Sequence, residues 1–100
     1  MDDNKIEQEI QNKGLNAPRV TSNSIQEKIE KVDYYHFPGT TVTICLLTMK
    51  NGFSVVGESA AASPENFDEE LGKHIAHAHA HDKLWALEGY LLKEQLSKEK

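Results

Sequence analysis

Apolar residues recur along this chain at two spacings, and the change of spacing divides it into elements. Residues 1–16 are polar, with Ile6, Ile10 and Leu15 as the only apolar anchors. That pattern fits a weak amphipathic helix or a polar N-terminal tail. Pro18 disfavours helix at Ala17, so residues 17–21 read as an extended lead-in. Ile25, Ile29 and Val32 then recur at helical spacing, with Gln26, Glu27, Lys28, Glu30 and Lys31 between them. A short helix is expected there, capped by Ser22 or Asn23. Asp33 to Thr40 reads as a connector, with Pro38-Gly39 as its turn.

From Thr41 to Met49 the chain is rich in β-branched residues, and a second such run spans Phe53 to Ser59. Asn51-Gly52 between them signals a hairpin, since a two-residue type I′ turn needs positive φ at both central positions. In that register Lys50 faces Phe53, Thr48 faces Val55 and Leu46 faces Gly57. One face then carries Val42, Ile44, Leu46, Phe53 and Val55, and the other Cys45, Leu47, Met49 and Val56. Both faces are partly apolar, and a lone two-stranded ribbon is marginal. The pattern therefore calls for a third strand or for edge pairing between two copies.

Ser63-Pro64-Glu65-Asn66 has the residues of a helix start: an N-cap serine, proline at the first position and acids in the first turn. A helix is expected from Pro64 to about Asp82, burying Phe67, Leu71, Ile75 and Ala78. A second helical segment is expected from Leu84 to Ser97, with a break near residues 83–86 because its apolar face is rotated. Trp85 is read as the anchor of that segment on the sheet. The architecture expected is α+β: a short N-terminal helix, a hairpin of about 41–49 and 53–59, and C-terminal helical segments packed on the sheet. Residues 17–100 make one domain.

Composition narrows the function more than the fold. The chain has 100 residues and a net charge of −5, and Arg19 is its only arginine. Duplex nucleic acid demands many Lys and Arg contacts to phosphates, so a DNA- or RNA-binding module is disfavoured. Cys45 has no cysteine to pair with, which excludes a Cys-rich zinc site and fits a reducing cytoplasm. The charged N-terminus is not a secretory signal, and no apolar run is long enough to cross a bilayer.

Blocks in a fixed order carry a family resemblance. They are Ala17-Pro18-Arg19-Val20-Thr21, Phe37-Pro38-Gly39-Thr40-Thr41, Asn51-Gly52-Phe53, Gly57-Glu58-Ser59, Ser63-Pro64-Glu65-Asn66-Phe67-Asp68 and Trp85-Ala86-Leu87-Glu88-Gly89-Tyr90. Together they resemble the gene-product-forty-nine family of small tailed-phage and prophage proteins over about residues 17–96. The resemblance implies a phage-encoded cytoplasmic accessory protein and supplies context more than mechanism. Relatives often carry proline at the position of Ala86, and the histidines of residues 74–81 are not part of the family pattern.

Those histidines are the most conspicuous chemistry in the chain. On a helix Glu70, His74, His77 and His81 share one stripe, whereas His79 points away. Histidines four apart can chelate Zn²⁺ or Ni²⁺. No His-Glu-x-x-His pattern or cysteine accompanies them, so the simpler reading is the polar flank of an amphipathic helix, with no cofactor. Tyr34, Tyr35 and His36, followed by Phe37 and then Gly39, Thr40 and Thr41, suggest either core-plugging rings or an aromatic clamp with hydroxyl donors. Arg19 can grip a phosphate or carboxylate with both arms, or form a surface ion pair.

No nucleophile–base pair stands out, so an enzyme is not expected. The leading expectation is a non-enzymatic binding protein, likewise a homodimer or higher homo-oligomer. Its concrete form is a counter-defence protein that sequesters a small nucleotide signal through Arg19, the Tyr34–Thr41 segment and Trp85. The alternative is an acidic adaptor or inhibitor that binds a host or phage protein. A His-based metal enzyme ranks last.

Overall fold

The computed structural model describes residues 3–14 and 17–99. Leu15, expected as an apolar anchor, lies outside the described residues. Helix α1 spans Asp3–Asn12 and buries none of its residues. Helix α2, Ser22–Glu27, is capped one residue earlier than expected: Thr21 Oγ1 accepts the Ser24 amide at 2.9 Å, and Ser24 Oγ accepts the Thr21 amide in return. This reciprocal box satisfies two orphan donors at once.

The chain turns extended immediately afterwards, and strand β1 runs Ile29–His36. Only Ile25 of the expected helical triplet is helical. Ile29 and Val32 belong to the strand, as does the first half of the expected connector, residues 33–36. Strands β2, Thr43–Met49, and β3, Ser54–Ser59, complete an antiparallel sheet of order β1-β2-β3. The third strand that the two-faced hairpin called for is therefore supplied within the chain.

The β2–β3 register differs by one residue from the expectation. Leu47 faces Val55, Leu46 faces Val56 and Cys45 faces Gly57. The loop is three residues long, not two. Met49 accepts the Gly52 amide at 2.9 Å and donates to Phe53 at 2.7 Å. Gly52 has φ +91°, and no non-glycine residue described has positive φ, so Asn51 does not enter a type I′ turn. Asn51 Oδ1 instead accepts the Phe53 amide at 2.9 Å. One glycine in the left-handed region suffices for this bulged loop. The added residue moves Val55 to the buried face and Val56 to the open one, as a slip of one must.

A short 3₁₀ turn, Pro64–Asn66, follows β3. Ser63 does not cap it: its hydroxyl donates to Glu65 Oε2 at 3.0 Å. The long helix α3 starts later, at Glu69, and runs to Ser97 with no break. Asp68 is its N-cap, accepting the Leu71 amide at 3.0 Å. Glu69 and Glu70 occupy the first turn, where the helix dipole favours acids.

The face α3 presents to the sheet is also rotated from the expected one. Gly72, Ala76, Ala80, His81 and Leu84 are buried, whereas Leu71 is 54% exposed and Ile75 and Ala78 also face outward. Small residues let the helix lie close. A Cβ built on Gly57 would sit 2.1 Å from Ala76 O and 2.3 Å from Ala80 N. Ile25, Cys45, Leu47, Met49, Val55 and Leu84 fill the space beside this contact. Full burial of Leu47 alone contributes about 2 kcal/mol. The opposite face of the sheet directs Tyr35, Ile44, Leu46 and Val56 away from α3.

Candidate binding surfaces

Two large grooves border α3 among the described residues. The larger, of about 710 Å³, lies between α3, α1 and the segment around Val20–Gln26. Ile6, Ile10, Val20 and Trp85 give it an apolar lining. Trp85 is half-buried and packs on the core as expected, but its outer side borders this groove. Arg19 also lines it, so these two candidate residues do share one surface.

Arg19 is already engaged there. Its guanidinium donates to both carboxylate oxygens of Glu7, at 2.8 and 2.5 Å. That fork, helped by Gln11 donating at 2.8 Å, holds the Glu7 carboxyl down at about 2. The Glu7 carboxylate in turn pushes the Arg19 pKa further up. The pair ties α1 to the body of the molecule. Asp3, Glu7 and Asp82 make the rim acidic.

His77 and His81 border the same groove. Their rings stack at 6.3 Å, and His81 meets Trp85 edge-on at 6.3 Å. Burial lowers the His77 pKa, and the neighbouring His81 and His74 lower it further. His74 is exposed, and Glu70 lies 4.0 Å from Lys73. Among the described residues no group of three or more His, Cys, Asp or Glu side chains is placed to hold a metal ion. His79, the outlier of the stripe, shares a hydrogen bond of 2.6 Å with Glu58 O at the sheet edge.

The Tyr34–Thr41 segment forms a separate cluster. Tyr35 and Phe37 pack edge to face at 4.8 Å, and His36 stacks on Phe67 at 4.7 Å. Lys73 Nζ sits 5.7 Å from the Tyr34 ring. Burial raises the Tyr34 pKa. The rings do not plug the core as the packing reading expects: Tyr34, Tyr35 and Phe37 are all exposed. On edge strand β1, Tyr34 sits at the margin of the layer that α3 covers, and Tyr35 lies on the opposite face of the sheet.

The donors of this segment are spent internally. Thr40 Oγ1 donates to Phe37 O at 2.8 Å and accepts the Val42 amide at 3.1 Å. Thr41 Oγ1 donates to Ala61 O at 2.5 Å and accepts the Ala61 amide. Thr40 O shares a bond with His36 Nε2, and Gly39 takes φ +79° to close the turn. Along α3, Lys73 and Trp85 are twelve residues apart, about 18 Å at the helical rise. Arg19 and Trp85 therefore do not join the Tyr34–Thr41 cluster within one protomer.

The second groove went unread in the sequence. It holds about 440 Å³ and is lined by Met49, Phe53, Leu84, Leu87 and Leu91, with Lys28 and Glu88 at one side. Phe53 is 55% exposed, Leu87 44% and Leu91 41%. Lys28 Nζ and Glu88 Oε1 pair at 2.6 Å beside it. Beyond Leu84, the last buried residue of α3, the helix continues to Ser97, about 20 Å further. The signal was the dense leucine pattern of residues 84–96, which exceeds what so short a hairpin can cover.

Comparison with curated proteins and with solved structures gives no match. No helix among the described residues is long and apolar enough to cross a membrane. A family model matches residues 20–96, which include β1, the hairpin and α3 up to its last turn. The chain thus belongs to the Phage protein (N4 Gp49/phage Sf6 gene 66) family.

Proposed function

We propose that this phage-family protein is a non-enzymatic adaptor or inhibitor that binds a host or phage protein through the groove of Phe53, Leu84, Leu87 and Leu91. The observation that carries this reading is that Phe53, Leu87 and Leu91 converge on one concavity over the buried Leu84 and stay half-exposed. Contiguous exposed apolar surface rimmed by polar residues marks interaction sites, and an amphipathic partner helix seats its apolar face in such grooves. The Lys28–Glu88 pair sets a polar rim. The net charge of −5 favours encounter with a basic partner.

Capture of a small nucleotide signal draws less support from the geometry. Its proposed donors are engaged elsewhere, Arg19 by Glu7 and the hydroxyls of Thr40 and Thr41 by the carbonyls of Phe37 and Ala61. The groove beside Arg19 is rimmed by carboxylates that repel phosphate.

Photo-cross-linking during infection tests the proposal, with a photoreactive residue at Leu91. The expected result is one discrete heterologous adduct that Leu87→Asp abolishes while thermal unfolding stays cooperative. Loss of a buried apolar anchor typically costs about 2 kcal/mol or more, some thirtyfold in affinity. Thermal unfolding against a nucleotide panel runs beside it, since a ligand of the folded state at 100 times Kd adds about 2.7 kcal/mol. A flat panel fits the adaptor. A shift selective for one nucleotide class, with no Leu87-dependent adduct, overturns it.

A further inference from the structure

The two edges of the sheet are treated differently. Met49 and Phe53 bond to each other across the hairpin, so the odd residues of β3 face β2 and the even ones point outward. The outward carbonyls of Val56 and Glu58 are both covered from α3. Lys83 Nζ donates to Val56 O at 2.5 Å, and the His79 ring meets Glu58 O at 2.6 Å. Covering an edge in this way removes it as a template for strand addition.

On β1 the Phe37 amide donates to Val42 O at 3.1 Å, which fixes Lys31, Asp33 and Tyr35 as the residues facing β2. The main-chain groups of Val32, Tyr34 and His36 therefore point outward. Among the described residues no side chain or main-chain group bonds them. A shift of register at Ile29–Lys31 marks a bulge at Glu30, where the regular edge begins. Val32 and Tyr34, both large and apolar, stand exposed along it.

We propose that a second copy of this chain pairs antiparallel along β1, about a two-fold axis at Val32, to give one continuous six-stranded sheet. An isologous contact brings the same strand of each copy together. Outward-facing residues must meet outward-facing residues, so only registers that place a β1 residue on the axis are allowed. Charge chooses among them. With Asp33 on the axis, two carboxylates oppose at the closest spacing, and with Lys31 on the axis two ammonium groups do. With Val32 on the axis, Lys31 of each copy faces Asp33 of the other, twice by symmetry. Within one copy these two side chains lie 3.6 Å apart and are well exposed, so both are available at the edge. Opposite charges directly across a strand pair stabilise it, and like charges weaken it.

Sedimentation analysis of the full chain tests this. The parent sediments as a dimer, and Lys31→Asp or Asp33→Lys alone raises the dissociation constant at least tenfold. The double variant, with the charges exchanged, restores it. A second measurement fixes the register independently of affinity. Lys31→Cys with Asp33→Cys in the same chain forms a disulfide-linked dimer on mild oxidation, whereas neither single variant does. The one native cysteine, Cys45, is buried and does not compete. A parent that stays monomeric at high micromolar concentration overturns the proposal. So do a dimer indifferent to the single charge reversals and a cross-link formed by either cysteine alone.

Discussion

Gly57 stands where the helix backbone comes nearest the sheet, and there the side chain that is missing matters more than any that is present. A methyl group at that position meets the main chain of Ala76 and Ala80, which no rotamer change can clear. Gly57→Ala is expected to cost about 3 kcal/mol, the upper end of overpacking, read as a lowered denaturant midpoint. Thr43 is the opposite case. Its hydroxyl is buried at 1% residue exposure and has no hydrogen-bond partner among the described residues. Thr43→Val keeps the shape and removes the unsatisfied group, so stability should hold or rise by up to about 1 kcal/mol. A loss of 2 kcal/mol or more would mean that the hydroxyl is bonded after all.

Helix α1 buries no residue of its own, and a bidentate contact from Glu7 to Arg19 ties it to the body of the molecule. Arg19→Ala should speed amide exchange across residues 3–12 at least tenfold while leaving β2 unchanged. Arg19→Lys should rescue it only in part, since an ammonium cannot reproduce the fork. The Glu7 carboxyl is held below its unfolded value of 4.5, at about 2. The contact is therefore complete above 4.5 and lost as pH falls through 2. Elements were legible in the sequence where one period dominates: the hairpin strands, α2, and the helical character of residues 69–97. Strand β1 was not. Ile25, Ile29 and Val32 mimic a helical stripe, and an edge strand carrying Glu30, Lys31 and Asp33 lacks the alternation of a half-buried strand. The register slipped because Asn-Gly signals a two-residue turn, whereas Asn51 uses its side chain to build a longer one. The buried face of α3 is hidden in the sequence because size alone points to Leu71 and Ile75 as its core residues. The sheet instead selects Gly72, Ala76 and Ala80 for closeness.

At the scale of the whole molecule the grooves could not be read from sequence. Arg19 and Trp85 are 66 positions apart and meet only because α1 and α2 fold beside α3. The stability of the assembled molecule should also carry the signature of His77. Its pKa lies below the ordinary 6.5, chiefly through burial, with His81 and His74 beside it. Asp3, Glu7, Arg19 and Asp82 complete the charged groups of that groove. Because the folded state resists the proton, the unfolded chain takes it up first as pH drops below 6.5. Stability is full above that value and declines beneath it. His77→Gln should flatten the dependence of unfolding free energy between pH 7 and 5. Parallel curves for parent and variant would remove His77 from the account.

The cover that Lys83 and His79 place over β3 has a consequence in the language of polymerisation. A sheet with two open edges is a bifunctional monomer and grows into chains without limit. A sheet with one edge stopped is monofunctional, and its growth ends at the first union, whatever the concentration. Two side chains of one helix thus act as a chain terminator, setting a ceiling on the size of any edge-to-edge assembly this protein can build.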